Sequence, residues 1–270
     1  MNARRPPERP LAWYFAHHSA ADRYDAGRPR FHHELLPAIR ALIGDREREL
    51  ALDVGCGTGH STVILPGLAH HVIGCDIAPE MLALAPKHDA IDWIEAPAES
   101  LPVPDGSVDL ITVTMAFHWF DQRRFLAESR RVLRDDGWLL LVSNGFSGTM
   151  NGNPAFTDWC RDVLYRRYPT PPRSPSGITD DDLRIAGLAH VADEPFQIDI
   201  PFTRESLTAY FLTQSNFITR IESGEETIED VGAWIAEGLA PFFRDGTESF
   251  GFRGVIRAIR PTPAEHAAMH

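Results

Sequence analysis

The sequence predicts a doubly wound α/β fold, in which a mostly parallel sheet is covered by helices on both faces. Three observations carry this prediction. Short, nearly continuous apolar runs recur between residues 49 and 144, as is typical of strands buried on both faces. Helical patterns and turn residues separate these runs. The first run ends in a cluster of glycines, which lets a strand turn sharply and lets another group approach its backbone.

Five apolar runs are the candidate strands of this region: 49–55, 71–77, 91–97, 108–117 and 138–144. Between the last two, residues 122–133 place Phe125 and Val132 on one helical face, with Asp121 as the N-cap. Pro79 suits the first turn of a short helix after the second run. Strands that alternate with helices in this way predict parallel strands joined by helical crossovers.

After Asn144 the alternation ends, and the pattern becomes helical over 155–167 and 204–243, with strand-like segments at 196–202 and 251–260. We therefore expect an N-terminal helical lid segment (1–44), a ligand-binding core (45–145), and a C-terminal part (146–270) with cap insertions at about 146–187 and 204–247. The insertions are expected to form a cap that selects the ligand.

The chain has 270 residues, a net charge of −12, and no apolar run near the roughly 18 residues that a membrane span requires. An acidic chain has no general attraction for a phosphate backbone, so we expect a small-molecule partner and no nucleic acid. Five arginines are interpreted as one solvated helix face: Arg123, Arg124, Arg130, Arg131 and Arg134. Because no apolar signal segment is evident, we expect a cytoplasmic protein that binds no membrane. We expect it to be a monomer or a homodimer.

The three cysteines are Cys56, Cys75 and Cys160. An odd count without CxxC spacing indicates neither a disulfide framework nor a zinc site, and we expect no bound metal. Cys56 and Cys75 lie in apolar surroundings, so we interpret both as small core residues.

The glycine cluster reads Asp53-Val54-Gly55-Cys56-Gly57-Thr58-Gly59 and is predicted to lead from a strand into a helix. Loops that cradle a pyrophosphate have the spacing G-x-G-x-x-G and use backbone amides at a helix N-terminus. Here the spacing is G-x-G-x-G and an acidic residue precedes it. Asp53 would repel a pyrophosphate and would favour an ammonium group, such as the amino group of a methionine moiety.

Asp76 lies at the end of the second apolar run. In doubly wound sheets a carboxylate at this point accepts hydrogen bonds from ribose hydroxyls. The alternative role is a helix N-cap, since Ile77, Ala78 and Pro79 follow. The neighbouring glycine loop favours the ribose role.

Four segments resemble the motifs of class I S-adenosylmethionine-dependent methyltransferases of the type 11 domain group: LDVGCGTG (52–59), DIAPEML (76–82), AESLPVPDGSVDLI (98–111) and AFHWFD (116–121). The resemblance covers about residues 45–145. It implies a Rossmann-like, seven-stranded sheet whose last strand is antiparallel. It also implies S-adenosylmethionine as the cofactor and S-adenosylhomocysteine as the product.

Residue roles follow from this resemblance. Gly55, Gly57 and Gly59 are expected to border the methionine part of the cofactor, with Asp53 beneath it, Asp76 at the ribose, and Ala98 and Glu99 beside the adenine. Cys56, Ile77, Met81 and Phe117 are further expected cofactor contacts. Pro66 departs from the family pattern and is expected to shorten the first helix.

The segment 116–121 follows the fourth strand and is expected to line the methyl-transfer site, because ligands of open α/β sheets bind beyond the carboxyl ends of the strands. His118 is the candidate general base for a hydroxyl or amine acceptor. Alternatively it hydrogen-bonds the cofactor or a carbonyl and moves no proton, and a carboxylate acceptor needs no base. Trp119 either packs in the interior, stacks near the adenine, or forms a wall of the substrate pocket.

The N-terminal segment 24–29 resembles a Y-x-x-x-R-P element that forms a lid over the cofactor in many of these proteins. This resemblance implies that Tyr24 and Arg28 contact the methionine end, where Arg28 suits a carboxylate. The alternative is the start of a surface helix. Residues 202–217 faintly resemble the cap of methyltransferases that act on small carboxylic acids, the trans-aconitate-like group.

The sequence thus predicts a methyltransferase of the general class EC 2.1.1.- that acts on a small molecule, with O-methylation of a carboxylate or hydroxyl favoured. The alternative is a non-catalytic S-adenosylmethionine-binding protein with a regulatory or scaffold role. A nicotinamide oxidoreductase is disfavoured by the glycine spacing and by the segment AFHWFD.

Overall fold

The computed structural model describes residues 18–170, 177–244 and 246–262. In these ranges the strands are β1 Leu50–Val54, β2 His71–Asp76, β3 Ile91–Glu95, β4 Val108–Thr114, β5 Leu133–Met150, β6 Leu188–Phe202 and β7 Glu248–Pro261. The α-helices are α1 His18–Gly27, α2 Leu36–Ile43, α3 Pro79–Leu82, α4 Gln122–Val132, α5 Pro154–Trp159, α6 Asp180–Ile185, α7 Arg204–Phe211, α8 Ser215–Glu222 and α9 Ile228–Leu239. A π-helical turn (Cys160–Leu164) and a short helical piece (Tyr165–Arg167) extend α5.

The strands form one sheet in the order β3-β2-β1-β4-β5-β7-β6. Strands β1 to β5 are parallel to one another, and β7 pairs antiparallel with both β5 and β6. Apolar side chains are buried on both faces of this sheet. The predicted doubly wound α/β fold is confirmed, including the single antiparallel strand. The chain order reverses at β1, so a cleft is expected between the carboxyl ends of β1 and β4.

All seven predicted strands are present, but β5 and β6 are longer than the apolar runs indicated. The run 138–144 lies inside β5, and the run 196–202 is the end of β6. Both strands extend because β7 pairs along most of their length, from Leu188↔Pro261 to Phe202↔Glu248 on the β6 side. Alternation in a single strand cannot reveal this pairing, which involves residues far apart in the chain.

The glycine loop leads into a helix, as predicted, but this helix is short and of the 3-10 type. A 3-10 helix, Thr62–Gly67, follows the loop and contains Pro66, which lacks the amide that α-helical bonding would need. Other helix predictions are confirmed. The Asp121 side chain caps α4 by accepting from the Arg124 amide at 3.2 Å, and Pro79 is the first residue of α3.

The cap regions contain the predicted helices. Residues 154–167 form α5 and its extension, and residues 204–239 form α7, α8 and α9. Residues 1–17, 171–176, 245 and 263–270 lie outside the described ranges. They include the whole of the lid segment before α1 and most of the Pro/Ser-rich loop at 168–177. Within the described ranges, no helix is both long enough and apolar enough to cross a membrane.

Four of the five clustered arginines make ion pairs with carboxylates. Arg123 pairs with Asp182, Arg130 with Asp135, Arg131 with Asp105 and Glu128, and Arg134 with Asp109. Neighbouring carboxylates therefore neutralise most of the positive charge of this arginine cluster.

Asp109 ties together the amino-terminal edge of the sheet. Its buried carboxylate accepts from the backbone amides of Glu49 (2.9 Å) and Leu50 (3.1 Å), and it pairs with Arg46 and Arg134. The start of β1 is thereby fixed against the start of β4. This edge lies opposite the one that bears the glycine loop.

We expect Asp109→Ala to lower the free energy of unfolding by about 3–5 kcal/mol, because it leaves two amides and two arginines without their shared partner. Urea denaturation measures this change. Asp105→Ala is the matched control, since its carboxylate is exposed and pairs with Arg131 at the surface; the expected loss there is about 1 kcal/mol or less. Equal losses in the two variants would contradict the role given to Asp109.

Candidate active site

The glycine loop is held between the ends of three strands. Gly55 and Gly59 have φ values of 70° and 82°, a region that favours glycine. A Cβ atom at Gly55 would lie 2.5 Å from the Ala116 Cβ, and one at Gly59 would overlap the indole of Trp93. The loop therefore needs glycine for its turn and for close packing against β3 and the residues after β4.

Asp53 lies beneath the loop, as expected, but its carboxylate does not face a ligand. The side chain is 0% exposed and accepts from the hydroxyls of Ser61 (2.8 Å), Thr62 (2.7 Å) and Thr112 (2.9 Å). Burial raises the pKa of Asp53, and the hydroxyl donors act against that rise. This corrects the expectation that Asp53 contacts an ammonium group directly, because its buried carboxylate already accepts hydrogen bonds from three hydroxyls. Asp53 instead fixes the loop to the 3-10 helix and to β4.

Asp76 holds the loop from the neighbouring strand. One carboxylate oxygen accepts from the Gly57 amide at 2.8 Å, and the other accepts from the Ala78 amide at 2.9 Å. The N-cap of α3 is Ala78, so the alternative role of Asp76 as N-cap is wrong. Burial raises the pKa of Asp76, opposed by these amides. Each oxygen keeps lone-pair capacity for a further donor.

The other cofactor contacts expected near Asp76 are small or apolar residues. Ile77 is 51% exposed beside it, whereas Met81 and Ala98 are buried. Glu99 accepts from the Asp121 amide at 2.8 Å and so links the predicted adenine segment to the segment after β4.

Cys56 and Cys75 are both buried, which confirms the prediction that they are core residues. Burial raises the pKa of the Cys56 thiol well above its usual value.

The segment after β4 begins with an unusual backbone conformation that the sequence did not indicate. Met115 has φ 56°, which strains a residue with a side chain and is typical of functional sites. The turn brings Ala116 against Gly55 and leads into a 3-10 helix, Phe117–Trp119. The site therefore includes a strained turn between β4 and the candidate base.

Within this segment the aromatic residues divide between interior and surface. Phe117 packs edge-on against Phe120 and Phe125, with ring centroids 6.2 and 5.9 Å apart. His118 is half-buried and its ring lies 4.7 Å from that of Trp119, which is 38% exposed. The structure thus gives Phe117 a packing role, while His118 and Trp119 lie nearer the surface beyond β4.

Helix α1 connects the glycine loop to the cap helices. Tyr24 packs against Ala78 and Met81, and an Asp25 oxygen lies 2.7 Å from His60 Nε2, directly after the loop. Arg28 donates to the Thr213 carbonyl at 3.0 Å. The alternative of a surface helix start is therefore wrong. Asp25 and His60 were missed by the sequence reasoning, although His60 follows the last glycine of the motif.

Comparison with known proteins places the site in a family. Residues 52–141 match the model of the methyltransferase domain family. A Dictyostelium discoideum protein named as a candidate methyltransferase is 38% identical over 137 residues, which cover 51% of this chain and 52% of that protein. A malonyl-[acyl-carrier protein] O-methyltransferase of Hamiltonella defensa is 36% identical over 101 residues, which cover 37% of this chain and 39% of that protein.

Among solved structures, a candidate type II methyltransferase from Anaeromyxobacter dehalogenans matches with a TM-score of 0.68 and 25% identity, over 87% of this chain and 99% of that chain. The chain contains a class I S-adenosylmethionine-dependent methyltransferase domain. The matched residues run from β1 into β5 and include the glycine loop, Asp76 and the segment 116–121. The chain spans about half the length of the curated relatives it matches first.

The residues of this methyltransferase domain fit a nucleoside-containing cofactor. Asp76 is held at the carboxyl end of β2 with capacity for hydroxyl donors, and the exposed Ile77 offers an apolar surface beside it. Thr58 in the glycine loop is 1% exposed and its hydroxyl has no hydrogen-bond partner among the described residues. The Thr58 hydroxyl can therefore form a hydrogen bond with a ligand, and the glycines at the turns let a ligand approach the loop.

His32 is a second residue near the lid that the sequence did not single out. Its ring stacks on Phe31 at 4.6 Å, and its Nδ1 atom is buried without a partner among the described residues. Burial, with smaller contributions from His60 and His33, lowers the pKa of His32 to about 4. The imidazole is therefore neutral at physiological pH.

This lowered pKa predicts acid sensitivity. Because the unfolded chain binds the proton near pH 6.5, the contribution of neutral His32 to stability is fully present above that pH and is lost as the pH falls toward 4. The expected loss is up to roughly 3 kcal/mol, measured as the free energy of unfolding in urea. His32→Asn should flatten much of this dependence, whereas His33→Asn, at an exposed neighbouring position, should keep it. An unchanged slope in His32→Asn would refute the assignment.

Proposed function

We propose that this protein transfers the methyl group of S-adenosylmethionine to a small-molecule acceptor. The observation that carries the proposal is the Asp76 carboxylate, held by the Gly57 amide across the carboxyl ends of β1 and β2. This pair combines a ribose-binding carboxylate with a glycine loop whose spacing suits a methionine moiety better than a pyrophosphate. When bound, the cofactor supplies an electrophilic methyl group on a sulfonium.

The residues that would hold the cofactor lie along the cleft at the carboxyl ends of the strands. Asp76 would accept from the ribose hydroxyls, Ala98 and Glu99 would lie beside the adenine, and Ile77 would be a further contact. The turns at Gly55 and Gly59 let the loop approach the methionine part. Tyr24 covers this region through its packing on Ala78 and Met81. The lid and loop together exclude water from the reacting atoms.

The chain's own residues contribute positioning and, for some acceptors, proton transfer. Displacement at a methyl carbon requires the acceptor atom in line at about 3 Å, so the walls formed by His118 and Trp119 have to orient it. For a hydroxyl acceptor, His118 removes the proton as the new bond forms. A carboxylate acceptor is already ionised, and His118 then only orients it.

The acceptor is proposed to be a small molecule methylated on oxygen, at a carboxylate or a hydroxyl. The relative named as a malonyl-[acyl-carrier protein] O-methyltransferase supports oxygen as the acceptor atom over a limited part of the chain. The acidic net charge and the paired arginines of α4 and β5 disfavour a nucleic acid. The cap helices α5 and α7 to α9, with the lid, are proposed to select the acceptor.

The cofactor proposal is tested by calorimetry with S-adenosylhomocysteine. Asp76→Ala is expected to weaken binding by roughly 1–3 kcal/mol, because two ribose hydroxyls lose their acceptor. The matched control is Asp92→Ala, an exposed carboxylate on β3, which should bind as the wild type does. Tighter binding of NAD than of S-adenosylhomocysteine to the wild type would overturn the assignment.

The catalytic proposal is tested with labelled S-adenosylmethionine and pools of small alcohols and carboxylic acids. Product formation with any acceptor separates an enzyme from a non-catalytic binder. With a hydroxyl acceptor, His118→Asn should lower kcat about 10²-fold or more, and the wild-type rate should rise with pH as imidazole loses its proton. With a carboxylate acceptor, we expect a change mainly in KM.

Cofactor affinity serves as the internal reference for this experiment, since His118→Asn should leave it nearly unchanged. His70→Asn, at an exposed position before β2, is the control for nonspecific effects. If kcat and KM of His118→Asn both equal those of the wild type, His118 has no part in the reaction.

A further inference from the structure

A mostly buried hydrogen bond joins the lid helix α1 to the glycine loop. The Oδ1 atom of Asp25 lies 2.7 Å from Nε2 of His60, and the two side chains are 27% and 10% exposed. Asp25 lies near the end of α1, and His60 directly follows Gly59, the last glycine of the loop. Because a carboxylate only accepts hydrogen bonds, Nε2 of His60 is the donor.

Both partners of this contact are held on their far sides. The second carboxylate oxygen of Asp25 accepts from Nη2 of Arg30 at 3.2 Å, which fixes the orientation of the carboxylate. The two residues after His60 donate from their hydroxyls to the enclosed carboxylate of Asp53. The turn that follows the glycine loop is thus tied to β1 through Asp53 and to the lid through His60. A displacement of the lid helix would therefore pull on the turn that ends the glycine loop.

The charged and titratable groups that act on His60 are Asp25, Arg28 and Arg30 from the lid segment, and His32 just after it. Burial lowers the pKa of His60, Asp25 raises it, and the two arginines lower it further. The net direction is downward, so the covered imidazole is neutral at neutral pH. His60 therefore donates a neutral N–H to a charged acceptor, which is one of the stronger kinds of hydrogen bond.

A proton on His60 opposes this arrangement. The pKa of His60 is lower when the lid covers the ring than in water, where it is near 6.5, so a proton binds more tightly to the uncovered imidazole. By linkage, acid favours an arrangement in which the lid has left His60. The contact between Asp25 and His60 is therefore complete above this pH and weakens as the pH falls below it.

We propose that Asp25 and His60 are positioning residues, whose hydrogen bond holds the lid helix on the glycine loop while the cofactor is bound. This inference rests on the proposed function, since it takes S-adenosylmethionine as the molecule in the cleft. Tyr24, the residue before Asp25, packs on Ala78 and Met81 beside the proposed ribose site, so the contact also fixes this side chain. The pair acts on the affinity for the cofactor through the position of the lid and the loop.

The experiment measures the affinity of the full chain for S-adenosylhomocysteine by calorimetry at neutral and at acidic pH. At neutral pH, Asp25→Ala and His60→Ala should each weaken binding by about tenfold, as expected for loss of a hydrogen bond to a charged group. Asp22→Ala is the matched control, because it removes an exposed carboxylate from the same helix, and it should bind as the wild type does.

A conservative variant separates this role from a merely structural one. In His60→Gln the side-chain nitrogen takes the place of the imidazole Nε2 and donates to Asp25 without titrating. This variant should keep the affinity of the wild type at neutral pH. One pH unit below 6.5 the wild type should lose up to about tenfold in affinity, and His60→Gln should lose much less. His32→Asn, which changes the neighbouring imidazole, should keep most of the wild-type dependence.

Hydrogen exchange of the backbone amides of α1 is an independent readout of the lid. With S-adenosylhomocysteine bound, exchange in α1 should be faster in Asp25→Ala and His60→Ala than in the wild type, while exchange in β1 stays the same. If both alanine variants equal the wild type in affinity and exchange, the inference is wrong. Equal pH dependence in the wild type and His60→Gln would also overturn it. Failure of the wild type to bind S-adenosylhomocysteine at neutral pH would instead refute the proposed function.

Discussion

The hydrogen bond from the Gly57 amide to the Asp76 carboxylate is the interaction on which the arrangement of the site depends. It forms because β1 and β2 are parallel neighbours, with Val54 opposite Cys75, so that the residues after both strands emerge side by side. The same bond orients the Asp76 carboxylate, which we propose as the ribose acceptor, and fixes the turn of the glycine loop. Binding capacity and loop conformation are therefore determined together, before any ligand is present.

The two edges of the sheet have different roles: the amino-terminal edge stabilises the fold, and the carboxyl edge carries the candidate site. At the amino-terminal edge, Asp109 satisfies backbone amides and arginines in a closed set of hydrogen bonds. At the carboxyl edge, the buried Thr58 hydroxyl has no partner among the described residues, and Met115 keeps a strained backbone. Such unsatisfied and strained groups cost stability, and the well-satisfied opposite edge offsets that cost.

The sequence predicted those parts of the fold and site that depend on local order. Apolar runs located the strands, and the glycine loop and Asp76 could be paired because each directly follows a strand. The sequence could not show that Asp53 is enclosed, since Thr112, which donates to it, lies 59 positions away. Likewise Arg28 and Thr213 are 185 positions apart, and the contact between them arises only when the cap folds back on the lid. The assignments of His118, Trp119 and the cap boundaries stay predictions, because they depend on a ligand.

The lid helix α1 links the glycine loop, the helix after β2 and the cap into one unit. On one side Asp25 contacts His60, directly after the glycine loop, and on the other side Arg28 reaches the cap at Thr213. Helix α1 also packs on α3 through Tyr24 and Met81. The position of the lid is therefore set at once by the glycine loop, by the helix that follows β2 and by the cap.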